Sequence, residues 1–397
     1  MKNFFNAIGV ADMERVHSAV IGWMLSDGCE AFDLKVKSRL LCKLFGVKPS
    51  RFFSKITVNV EIFNIDILVE TEDESQTREC WIIENKIKSN QHNNQLDKYV
   101  QIIAGEKTGK GTKAKLITEK YKDIPEEHRH FCFLTLIDEK AKGDYSKLWK
   151  YLKYSDLVRI ISKTLETSKS YHEHGIILRE YVECIKELDG ALSDFLNNPK
   201  NYSLVFTDGS KRKDEKDADY LKSIETTSGK LGRFISECGL ETIFQKCYLG
   251  KRWNEHLENT KKECKWDISE TRGYAALDIH YPMIKNKSTQ EEYYTQIEFQ
   301  NGTFKVQVCQ DKDVNKTNQR DNFQNKWKDK FKQFKRNYPC WTVNCPKKNS
   351  AGLYLSISKH IEKWWTKEPA ELWNVLGICE DIRMQLIAKG NCEEVNS

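Results

Sequence analysis

The sequence predicts an α/β core followed by a helical connection and an α+β region. Three observations carry this. Short apolar runs alternate with amphipathic helical stretches across the first 170 residues or so. The next stretch, to about residue 240, is polar and helix-patterned. Strand-like sequence then returns, and Asn301-Gly302 between two alternating runs is a strong hairpin signal. The expected segments are residues 1–170, 171–240 and 241–397.

A first helix is expected over residues 12–25, with Asp12 as its N-cap and Met13, Val16, Val20 and Trp23 or Met24 as its apolar stripe. Glu14, His17, Ser18 and Ile21 occupy the neighbouring face. A second helix, residues 31–45, ends at Gly46 and carries a basic side. Three strands follow at 56–61, 62–70 and 80–87, with the acidic segment 71–75 turning between the last two. A helix begins near residue 90 or 93, placing Gln91, Gln95 and Tyr99 on one face and burying Leu96, Val100 and Ile103. A strand at 130–137 and a strand running into a helix over 149–165 complete the core. Residues 171–195 and 221–238 read as helices. Beyond residue 266 the strand candidates lie around Tyr274–Ile284, Tyr293–Gln310 and Gly352–Ile361, and a last helix covers 368–387. Trp327, Phe331 and Phe334 recur at helical spacing among lysines.

The bulk properties narrow the function classes. The chain has 397 residues, and ten tryptophans argue for real cores. A net charge of +6, from 64 basic and 58 acidic residues, permits nucleic-acid binding without requiring it. Basic stretches at 107–115 and 326–336 are either phosphate contacts or solvated surface. The thirteen cysteines are scattered singly, with no C-x-x-C pair, which points to reduced thiols. No run is long enough for a membrane span and no secretory segment opens the chain, so a cytoplasmic protein is expected. The Gly-rich run at 105–111 lacks the spacing of a phosphate-binding loop.

The informative stretch is residues 62–99. Two adjacent strands there are interrupted by Asp66 and by Glu84, with Lys86 on the same face as Glu84. A carboxylate inside a core strand is costly unless it is paired or binds a metal. Asp278, His280 and Glu298 also interrupt strands, but a structural or recognition role fits them better than metal binding.

In order, Glu14-Arg15-Val16-His17-Ser18, Ile65-Asp66, Glu84-Asn85-Lys86 and Gln95-Leu96-Asp97-Lys98-Tyr99 resemble the motifs of the PD-(D/E)XK, or restriction-endonuclease-like, superfamily. The closer resemblance is to the bacterial branch with an E-x-x-H-S helix and a Q-x-x-x-Y helix. It covers roughly residues 10–165, and Ile65 stands where the family usually has proline. The resemblance implies a central mixed sheet flanked by helices and a metal-dependent endonuclease acting on DNA, with RNA as the alternative and defence against foreign DNA as the setting. It implies Mg2+, or Mn2+ in its place, held by Asp66, Glu84 and the backbone carbonyl of Asn85, with Glu14 reaching the metal directly or through water. Lys86 would act on the attacking water or on phosphate charge, and Gln95 would orient phosphate or the lysine. Tyr99 either packs or contacts substrate, and His17 would hold its helix against the site. A homodimer and a regulatory ligand or protein at the C-terminal region are further partners to test. A non-catalytic binding module on the same fold is the competing class.

Overall fold

The computed structural model describes residues 3–48, 52–62, 64–88, 91, 94–106, 118–137, 141–168, 173–206, 234–235, 238–261, 264–271, 274–310, 327, 331–334, 336–344 and 353–395. The chain divides into two compact units, residues 1–194 with 234–240 and residues 195–233 with 241–397.

The first unit contains α1 (Phe4–Ala7), α2 (Glu14–Leu25), α3 (Leu34–Phe45), β1 (Phe53–Ile62), β2 (Ile65–Asp73), β3 (Arg78–Lys86), α4 (Gln95–Ala104), β4 (Arg129–Thr135), β5 (Trp149–Lys153), α5 (Tyr154–Ser168) and all but the last three residues of α6 (Glu173–Asn197). Its five strands pair in chain order. The β1–β2 and β2–β3 pairs are antiparallel, whereas β3–β4 and β4–β5 are parallel. The mixed sheet flanked by helices is therefore the architecture found.

Strand β3 is buried at every position after Arg78, as suits a central strand covered on both faces. On one side α4 inserts Leu96, Val100 and Ile103 against Ile65, Leu68, Ile82 and Phe133, the stripe expected from sequence. Helix α3 starts later than expected, where Asp33 accepts from the Val36 N–H at 2.7 Å, and it ends at Gly46 in the left-handed region. The turn after β2 is built on Asp73, whose Oδ1 takes the N–H groups of Ser75 and Thr77.

Helix α2 departs from expectation in two ways. Its N-cap is Met13, while Asp12 pairs with Lys88. Its buried face is His17, Ser18, Ile21, Gly22, Met24 and Leu25, and Met13 is exposed. Of the expected stripe Met24 is buried, but the rest of the buried face lies next to it, because this helix buries polar groups that have hydrogen-bond partners. Gly22 allows the close approach: a Cβ there would stand 2.4 Å from Val60 Cγ2 on β1.

The second unit contains α7 (Glu241–Thr260), β6 (Lys265–Thr271), β7 (Tyr274–His280), β8 (Ile284–Asn286), β9 (Glu292–Gln300), β10 (Thr303–Gln310), β11 (Thr342–Asn344), β12 (Leu353–His360), α8 (Pro369–Lys389) and β13 (Cys392–Glu394). Its main sheet runs β11-β12-β10-β9-β7-β6, with every pair antiparallel, and β8 joins β9 to β13. The Asn301-Gly302 turn forms as expected, both residues having positive φ. Strands β6, β11 and β13 had no clear signature in the sequence. Trp327, Phe331 and Phe334 are fully buried. Residues 107–115, most of 210–238 and Lys326, Lys328, Lys330 and Lys335 lie outside the described residues. The twelve described cysteines are all free. Among the described residues, no helix is long and apolar enough to cross a membrane.

Candidate active site

The β2–β3 ladder runs from Glu72 opposite Arg78 to Ile67 opposite Ile83. Asp66 and Glu84 are the next residues beyond its end. There the Asp66 side chain supplies the acceptor: its Oδ2 takes the Asn85 backbone N–H at 2.7 Å. Meanwhile β3 continues in parallel register with β4, from Glu84 opposite Phe133 to Lys86 opposite Thr135. The three charged residues are thus held at one mouth of the sheet. Lys86 Nζ lies 2.6 Å from Glu84 Oε1. Glu84 is wholly buried and Lys86 nearly so.

Glu14 arrives from the first turn of α2. Its Oε1 accepts the backbone N–H groups of Ile87 at 2.7 Å and Lys88 at 2.9 Å, just past the end of β3. The carboxylate therefore clamps the helix to the chain leaving the site, and its charge also acts on Asp66, Glu84 and Lys86.

These charges are poorly compensated. Burial pushes the Asp66 carboxyl up to about 6, against the opposing pull of the Asn85 N–H and Lys86. Burial, and then the Asp66 charge, push Glu84 up to about 8, although Lys86 pulls the other way. For Lys86, burial lowers its basicity, but Glu84, Asp66 and Glu14 outweigh it and the net shift is upward. Among the described residues, Lys86 Nζ and the Tyr99 hydroxyl approach Glu84, but neither carboxylate oxygen accepts a well-formed hydrogen bond.

A divalent cation would relieve this excess of buried negative charge. The donors are hard oxygens, which suit Mg2+ or Mn2+ better than a thiophilic metal. The set is incomplete as a cage: among the described residues, no group of three or more His, Cys, Asp or Glu could by itself hold a metal ion. Two carboxylates supplemented by water and substrate phosphate are a common arrangement for Mg2+.

The flanking motif residues serve the frame. Gln95 Nε2 donates to the Tyr99 hydroxyl at 2.6 Å, and Tyr99 in turn donates to the Asn64 carbonyl in the turn before Asp66. Tyr99 is buried, and the Gln95 Oε1 is buried with no hydrogen-bond partner among the described residues. His17 is buried and its basicity is lowered to about 4, chiefly by burial. Sequence reasoning missed the Asn85 side chain and the two tyrosines near it, Tyr154 and Tyr181, which lie 69 and 164 residues from their partners Asn85 and His17. The one local hint was that Tyr154 opens the helix directly after β5.

A mixed sheet thus gathers Asp66, Glu84 and Lys86 at the open end of one strand pair in an α/β core. Residues 2–183 match the family model of the PD-(D/E)XK nuclease superfamily, so this region carries the fold of that superfamily. No curated protein and no solved structure matches the chain.

Proposed function

We propose that this chain is a metal-dependent endonuclease that hydrolyses DNA phosphodiester bonds to 5′-phosphate and 3′-hydroxyl products. The observation that carries the reading is the joining of Asp66 to the Glu84-Asn85-Lys86 segment through the Asn85 N–H, with Lys86 against Glu84. Asp66, Glu84 and the Asn85 backbone carbonyl would hold Mg2+ or Mn2+. A bound ion would supply Lewis-acid polarisation of the phosphate and a lowered pKa for water. Lys86 keeps its proton and offers a fixed positive charge to the attacking water and to the negative charge that builds on phosphorus. Glu14 sets the position of the segment after β3, and Gln95 and Tyr99 set the turn before Asp66.

The narrower resemblance to the bacterial branch rests on Glu14, His17, Ser18, Gln95 and Tyr99 in their motif spacing. It supports a role in defence against foreign DNA, in the cytoplasm, with residues beyond about 240 deciding specificity, regulation or assembly. The test is incubation with plasmid, linear and single-stranded DNA and with RNA, in Mg2+ or Mn2+. Wild type should cut DNA, while Asp66→Ala and Lys86→Ala should fold and fail to cut. Unchanged activity in both variants refutes the site, and cleavage of RNA alone reassigns the substrate.

A further inference from the structure

Asn85 stands between Glu84 and Lys86, and strand alternation sends its side chain to the opposite face of the sheet. There it is fully buried with its amide engaged at both ends. Oδ1 accepts from the Tyr154 hydroxyl at 2.5 Å, and Nδ2 donates to the Glu14 carbonyl at 2.9 Å and to Ser18 Oγ at 3.1 Å. The backbone N–H of the same residue holds Asp66. Asn85 therefore joins both proposed metal-binding strands to α2 and α5.

Tyr154 is itself immobilised. It is fully buried, with the His17 ring edge-on at 5.4 Å. His17 is fixed in turn, Nε2 lying 2.8 Å from the Ala11 carbonyl and Nδ1 lying 3.1 Å from the Tyr181 hydroxyl. A carbonyl only accepts, so Nε2 carries the proton and Nδ1 accepts from Tyr181. The last bond before the site is the one from Tyr154 to Asn85.

We infer that Tyr154 is a positioning residue, whose hydroxyl holds Asn85 so that the backbone bearing Glu84 and the Asn85 carbonyl keeps the geometry a divalent cation requires. The inference rests on the metal-dependent reading above. The phenol ring alone would pack α5 against the sheet. What the hydroxyl adds is direction: it saturates a buried acceptor and fixes the amide plane. Groups that orient ligands without touching the metal typically set its affinity by about 10–100-fold.

The test uses the full chain and measures Mn2+ binding by calorimetry and by electron paramagnetic resonance of the free ion. Tyr154→Phe should weaken Mn2+ binding about tenfold and lower kcat, with KM for nucleic acid unchanged. Tyr181→Phe loses an equally buried hydroxyl that bonds His17 and neighbours Tyr154 rather than Asn85, and should keep Mn2+ affinity within about threefold of wild type. Ser18→Ala removes one acceptor from the Asn85 amide and should weaken Mn2+ binding in the same direction, which keeps the proposal testable if Tyr154→Phe does not fold. Wild-type affinity in Tyr154→Phe, or in Ser18→Ala if it is the variant that folds, overturns the positioning role. So does a loss in Tyr181→Phe as large as in Tyr154→Phe. A wild-type protein that binds no Mn2+ overturns the cation site itself, and the positioning role with it.

Discussion

Both units place an aspartate, a glutamate and a lysine on neighbouring strands, and the two clusters differ in what surrounds them. In the second unit Asp278, Glu298 and Lys305 sit directly opposite one another across an unbroken antiparallel ladder. Asp278 accepts from Ser269 Oγ at 2.7 Å, and Glu298 pairs with Lys305 and accepts from Gln307 at 3.1 Å. Neighbouring side chains occupy these carboxylates. In the first unit Asp66 and Glu84 lie beyond the end of their ladder, and the buried Glu84 carboxylate stands against Lys86, with the Tyr99 hydroxyl also near it. The same residue types therefore mean different things. A continuous ladder lets a polar cluster satisfy itself, whereas a ladder that opens leaves carboxylates short of partners and suited to a cation.

The largest expected effect tests this contrast directly. Asp66→Ala or Lys86→Ala should lower the cleavage rate by about 10²–10⁴-fold, the range expected when charge stabilisation at the reacting centre is removed. Asp278→Ala should leave the rate within about threefold of wild type, since its loss removes a hydrogen bond rather than a reactive charge. Initial rates on one substrate compare them, and abolition of cleavage by Asp278→Ala would break the contrast.

A second expectation concerns pH. Burial and the Asp66 charge push Glu84 up to about 8 in the folded chain, whereas the ordinary glutamate value is 4.5. Between these values the folded state holds a proton that the unfolded state has released. Stability of the metal-free protein therefore falls as pH rises from about 4.5 to 8, by about 2–5 kcal/mol, and Asp66 adds to the trend up to about pH 6. Glu84→Gln should flatten the curve, and Mn2+ should restore stability at the alkaline end. Chemical denaturation at a series of pH values in chelator checks both, and a stability that rises over this window would contradict the buried-charge account.

Gly22→Ala should cost about 1–3 kcal/mol, because the new Cβ meets Val60 and pushes α2 outward. Since Glu14 rides on that helix, activity should fall further than stability alone explains, which thermal melts beside rates would reveal. The smallest effect is expected for Ser269→Ala, about 1 kcal/mol from the lost bond to Asp278, with cleavage unchanged.

Much of the fold was legible because local chemistry wrote it. Gly46 stops α3, Asp73 builds its turn, Asn301-Gly302 makes the hairpin, and the apolar stripe of α4 is buried as its spacing requires. Legibility failed where burial did not follow polarity. The packing face of α2 carries His17 and Ser18, and periodicity alone assigned it to the apolar stripe next door. The short strands β11 and β13 span three residues each, too few for alternation to register.

For the candidate site, the sequence by itself determined the acidic and basic groups: Asp66, Glu84 and Lys86 stand in strands that cannot hold charge cheaply, and Glu14 and Gln95 flank them at motif spacing. The tertiary structure decided how those groups are held. It ends the β2–β3 ladder beside the carboxylates, turns Glu14 into a clamp on the chain after β3, and brings Tyr154 from 69 residues away onto Asn85. The reason is physical. The cost of a charge in a core strand is local and visible in the sequence. The hydrogen bonds that offset it come from whichever distant elements the fold packs alongside, and strand spacing carries no record of them.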